Sequence, residues 1–244
     1  MEMCVRIFAF LPLAGLLALV TTGLSTALAQ QGSFTINQND TAVGTASFNV
    51  TATPNGYDST SLVRVTMKGL DYALSENEHL SSDNQLEHVD LSAIVNGSAV
   101  HVTAAPDSAQ MLMNISANGR SSTTRLAAHP AAVFLPDFDP AALETLLAMA
   151  VNHNNRDLWA IIPKQAGSVT PVQLATYPDQ QGTLDGKPIV VHHLVATIGG
   201  GTTDLFSGPA NQLLLAELPQ EGFALVRKGF VLTPPSRPEA PPAE

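Results

Sequence analysis

Between residues 32 and 126, apolar and polar side chains alternate with a period of two, and turn residues break the alternation at short intervals. A chain built this way can bury its apolar set only as extended strands, with every second residue on one face. Ala46, Phe48, Val50 and Ala52 alternate with Thr45, Ser47, Asn49, Thr51 and Thr53. After Pro54-Asn55-Gly56, residues 61–68 return with Val63, Val65 and Met67 on one face and Arg64, Thr66 and Lys68 on the other. Residues 87–95 carry Val89, Leu91, Ala93 and Val95 inward and turn at Asn96-Gly97 into residues 99–104. A further pair, 111–116 and 121–126, closes on Asn118-Gly119. Asn-Gly is the dipeptide that accepts the left-handed backbone of a two-residue hairpin. Met111, Met113 and Ile115 read as core on this pattern.

One stretch breaks the period. Residues 135–153, LPDFDPAALETLLAMAVNH, predict a helix near 139–152 with Asp139 as N-cap and Pro140 at its first position. Leu143, Leu146, Leu147 and Ala150 fall at i, i+3, i+4 and i+7, an apolar stripe along one side. Glu144 is expected to face the positive end of the helix dipole. Strand patterns resume at 158–163 and 169–176, with 182–186 bridging to 189–198, whose two faces are both apolar, so both are expected to be covered. Residues 202–206, 212–218 and 223–232 complete the set. The expected fold is mainly β (α+β), one domain over 30–232. It is a curved, mostly antiparallel sheet or half-barrel of ten or more strands with one main amphipathic helix.

Arg6, the apolar run 7–20 and Ala27-Leu28-Ala29 read together as a secretory signal over residues 1–29. Pro12 and Gly15 interrupt the run, which argues against a retained anchor, so no integral membrane protein is expected after cleavage. The expected location is periplasmic or extracellular. The single cysteine, Cys4, lies within that signal, leaving a disulfide-free chain held by an ordinary core. Residues 233–244 are proline-rich and bare of core residues, and read as a disordered tail. A net charge of −10 with 11 lysines and arginines offers no footprint for nucleic acid.

Chemistry-bearing motifs are sparse. The histidines, 79, 88, 101, 129, 153, 192 and 193, form no H-x-H or H-E-x-x-H pattern, and His192 and His193 point to opposite faces of one strand. No metal and no cofactor is expected. Gly199-Gly200-Gly201 lacks the lysine and following helix of a phosphate loop and reads as a turn. There is no G-x-S-x-G and no catalytic cysteine. Asp137 and Asp139 could act as a carboxylate pair, although capping accounts for Asp139 and solvation for Asp137.

Phe34-x-Ile36, Asn39, Val43-Gly44 and Phe48 resemble the opening of an uncharacterised family of secreted bacterial β-rich proteins. Residues 184–189 (LDGKPI) are similar to its penultimate hairpin, and Leu213-Leu214-Leu215-x-Glu217 with Val226-Arg227-x-Gly229-Phe230 to its end. The layout is similar to periplasmic lipoprotein-carrier half-barrels, in which a curved sheet wraps an apolar cavity beneath a helical lid. That resemblance implies carriage of an apolar ligand.

The first expectation is therefore a non-enzymatic exported protein that binds a lipid or acyl chain between sheet and helix. Leu143, Leu146, Leu147, Ala150, Val191 and Val195 would line the site. The alternative is a structural envelope or scaffold protein with no ligand. A third reading is a hydrolase with an unrecognised site, around Asp137, Asp139, His153 and His192 or His193.

Overall fold

The computed structural model describes residues 30–164 and 167–234. The expected signal (1–29) and residues 235–244 of the tail lie outside the described residues. The protein is mainly β: sixteen strands belong to one open, curved sheet that is antiparallel except at one pair, with one helix.

The first eight strands form a meander, β1 (Gln30–Gln38), β2 (Thr41–Thr53), β3 (Gly56–Met67), β4 (Leu70–Ser81), β5 (Leu86–Val95), β6 (Ser98–Asp107), β7 (Gln110–Ala117) and β8 (Arg120–Ala127). After β9 (Ala132–Phe134) comes α1 (Pro140–Asn152). The chain continues through β10 (Leu158–Ile162), β11 (Ser168–Leu184), β12 (Lys187–Ile198), β13 (Gly201–Ser207), β14 (Leu213–Leu218), β15 (Phe223–Arg227) and β16 (Phe230–Leu232). Antiparallel pairing of β1 with β15 stitches the two halves into one sheet, and β9 lies parallel to β10 at one edge. Curvature brings β9 against β5 and β8 against β11, so the sheet wraps the helix.

Asn96-Gly97 and Asn118-Gly119 take the expected left-handed pair of conformations. Pro54-Asn55-Gly56 does not: Asn55 keeps a negative φ, and Gly56 is the first residue of β3. It is glycine for a different reason, because a Cβ there would stand 1.9 Å from the Leu80 carbonyl oxygen.

The helix begins at Pro140 with Asp139 as its cap, whose Oδ1 accepts from the amides of Ala141 and Ala142 at 2.8 and 3.3 Å. An apolar stripe with a solvent-facing side was expected. Instead ten of the thirteen helical residues are buried, because the sheet encloses the helix on nearly every side. Their neighbours in the core include Phe34, Ile36, Phe48, Val65, Met113 and Phe134. Glu144 does not serve the helix dipole: it is the fifth helical residue, beyond the first turn.

Each face of β12 is covered over only part of its length, by different partners, and Val190 is left 42 % exposed where coverage was expected. Ala196 belongs to the main core around the helix. Val191 packs in a second cluster with Phe206, Leu214, Leu215 and Phe230. That cluster is closed by β16, which pairs with the far end of β11 beyond the irregularity between Tyr177 and Gln180.

Candidate functional site

The six residues expected to line one pocket are not brought together. Leu146 is enclosed core at 1 % exposure. Leu143 borders a cleft of about 200 Å³ with Leu135, Phe138 and Ile198, whereas Leu147 and Ala150 border another of about 360 Å³ beside His192 and Leu194. Val191 and, by alternation along the strand, Val195 point away from the helix. A third cleft flanking the helix, about 540 Å³, has the ion pair of Glu144 and Arg227 in its wall.

That pair ties four elements together. Arg227 Nη2 lies 2.9 Å from Glu144 Oε1, its Nε donates to the Leu213 carbonyl at 2.6 Å, and Nη1 donates to the Gln31 carbonyl at 3.0 Å. The guanidinium also sits over the rings of Phe34 and Phe48. Burial pushes Glu144 up to about 7, despite the Leu213 amide bond and the pull of Arg227. Every donor of Arg227 that makes a contact serves the fold, so this cleft has a structural wall.

The residues weighed for catalysis are dispersed. Asp137 and Asp139 border the 200 Å³ cleft, but Asp137 pairs with Lys164 at 2.7 Å in solvent and Asp139 is consumed as a cap. His192 stands 3.0 Å from Asp179 beside the cleft at the other end of the helix. His193 is held on the outer face, 2.7 Å from Asp204 and stacked on Phe206, and His153 is the C-cap. Among the described residues no group of three or more His, Cys, Asp or Glu is arranged to hold a metal ion. No helix of the described residues is long and apolar enough to cross a membrane.

Two arrangements that the strand pattern alone does not reveal stand out. The first is inside. The inward face of β4 runs Tyr72, Leu74, Glu76, Glu78, Leu80, so two carboxyl groups occupy core positions, 3 and 4 % exposed. Asp139 joins them at 1 %, with Ser61 of β3 donating to its Oδ1 at 2.5 Å. Glu76 Oε2, both oxygens of Glu78 and Asp139 Oδ2 have no hydrogen-bond partner among the described residues.

The second is outside, on the face of β2–β7 turned away from the helix. Registered pairing lines up Ser47, Leu62, Ser75, Ser92, His101 and Ser116 across six strands. The neighbouring rung is Thr45, Arg64, Ala73, Ile94 and Ala99. Small serine and alanine side chains between larger ones leave a furrow of about 1000 Å³. Leu62 and Ile94 are 59 and 50 % exposed within it. No carboxylate of the described residues lines the furrow, although the chain carries 21 acidic residues. The only ion pairs of lysine or arginine among the described residues are Lys164–Asp137 and Arg227–Glu144, so Arg64 projects into the furrow uncompensated. Across five inter-strand spacings of ~4.8 Å the furrow is roughly 24 Å long.

No family model matches the chain, and no curated protein and no solved structure does. The resemblance to secreted β-rich proteins and to lipoprotein carriers thus has no counterpart in these comparisons.

Proposed function

We propose that this protein is a non-enzymatic, exported binding protein whose ligand is an anionic amphiphile, a long-chain fatty acid or a lipid of like charge, lying in the outer furrow. The observation that carries the reading is the furrow's composition. In a chain of net charge −10 it has, among the described residues, no carboxylate, one unpaired guanidinium, and two large aliphatic side chains left in water. The expected site between sheet and helix is replaced, because side chains fill that interface and its margins are split into three separate clefts. The acyl chain would cover Leu62, Ala73, Ile94 and Ala99, and its carboxylate would take a charge-assisted bond from Arg64. Export rests on the reading of residues 1–29 as a signal.

Dansyl-undecanoic acid titrated into the protein, and then displaced by dodecanoate, tests this. The expected dissociation constant is on the order of 10 µM, with Arg64→Glu weakening it about tenfold or more, a loss of about 1.4 kcal/mol. A neutral dodecanol should lose most of the Arg64 dependence. No probe binding to the wild type would leave the ligand-free scaffold reading in its place.

A further inference from the structure

The buried carboxyl cluster is separate from the furrow and unexplained by it. We infer that the junction of β3, β4 and the helix start is a proton-operated latch: protons retained on Glu76 and Glu78 seat the helix start against the sheet, and their loss in an alkaline medium releases it.

The geometry leaves few other ways to satisfy the cluster. Three carboxyl groups lie close together in the core, and no cationic side chain among the described residues bonds any of them. Ser61 and the amides of Ala141 and Ala142 all donate to Asp139, so Asp139 is the member best equipped to carry charge. Glu78 has a donor at neither oxygen. A second and third negative charge would find nothing to balance them, so the glutamates keep their protons. The surrounding elements do not alter this. The inward faces of β3 and β5 bring Ser59, Ser61, Val63, Val89, Leu91 and Ala93, without a charge. Tyr72 points its hydroxyl to the Asp137 carbonyl at 3.5 Å, and Asp137 is paired with Lys164. On the helix, Glu144 is engaged with Arg227.

Burial, and next the neighbouring Asp139, raise both glutamates: Glu78 to about 8 and Glu76 well above the usual range. Burial also raises Asp139, which the three hydrogen bonds partly offset. The unfolded chain gives up these protons near 4.5, so the stability contributed is full in acid, declines as pH rises from there, and is lost as pH passes about 8. The segment that would let go is already tense. Phe138, next to Asp139, holds φ at 59°, a left-handed conformation unusual for a bulky residue, wedged by edge contacts to Tyr72 and Phe223.

The test is amide hydrogen exchange of the full chain from pH 6 to 9, corrected for intrinsic rates, with the amides of residues 141–143 compared against Ile36 in the core of β1. The expected result is a loss of protection of tenfold or more at 141–143, with Ile36 changing little. Glu78→Gln, which keeps the shape and cannot ionise, should abolish that loss, and Glu76→Gln should reduce it. Protection at 141–143 that stays flat in the wild type overturns the latch even if neither variant folds. So does a decline in Glu78→Gln that matches the wild type.

Discussion

Arg227→Met is the most informative single perturbation of the fold, because it isolates a charge pair whose worth depends on pH. Arg227 is 12 % and Glu144 4 % exposed at the side chain. Removing one partner of such a buried pair costs about 3–5 kcal/mol, since the other charge is left unbalanced in the core. Here the loss includes the bonds to β14 and β1, through the Leu213 and Gln31 carbonyls. With Glu144 raised to about 7, the folded pair is charged at pH 8 and mostly neutralised on the carboxyl side at pH 5. Because the folded pKa lies above the unfolded one, the wild type itself loses stability from Glu144 as pH rises from about 4.5 to 7. The Arg227→Met defect should therefore be about 3–5 kcal/mol at pH 8 and shrink at pH 5 to about 1–2 kcal/mol, the hydrogen bonds alone. In a domain of this size that is a fall in melting temperature of about 10 °C at pH 8. The double variant Glu144→Gln/Arg227→Met should recover part of it. Calorimetry at the two pH values reads all of these quantities. A defect below about 1 kcal/mol at pH 8, or one equal at both pH values, refutes the reasoning.

Two further substitutions probe packing. Leu147→Ala, in the enclosed helix at 3 % exposure, should cost about 2–5 kcal/mol by denaturation. It should leave dansyl-undecanoate affinity within about twofold, because a change of a few tenths of a kcal/mol is all a distant site allows. Gly56→Ala should cost about 1–3 kcal/mol in the same assay, because φ is +154° and the new methyl would meet the Leu80 carbonyl.

What was legible in the sequence is what local periodicity encodes. The Asn96-Gly97 and Asn118-Gly119 hairpins and the Asp139–Pro140 helix start are written in consecutive residues, and the structure has them. β4 escaped the strand reading because Glu76 and Glu78 stand where its pattern requires apolar residues. The alternation of Tyr72, Leu74 and Leu80 around them was the available signal, and carboxyl groups at inward positions were themselves the mark of an unusual site. The helix reads as amphipathic because spacing within it shows only one apolar stripe, whereas the sheet that buries its other sides is built from residues far away in the chain. Arg227 and Glu144 are 83 residues apart, and no spacing rule joins them. The furrow is the least legible feature. Ser47, Ser75, Ser92 and Ser116 read singly as ordinary solvent-facing strand residues, and only register across six strands aligns them beside Leu62 and Arg64.

The most direct test of the furrow as the ligand site is methyl NMR of selectively labelled leucine and isoleucine during a dodecanoate titration. The account predicts saturable shifts at Leu62 and Ile94, both on the outer face, with Leu146 and Leu147 of the helix unmoved. Shifts centred on Leu146 and Leu147 with Leu62 and Ile94 silent would contradict it and return the ligand to the space between helix and sheet.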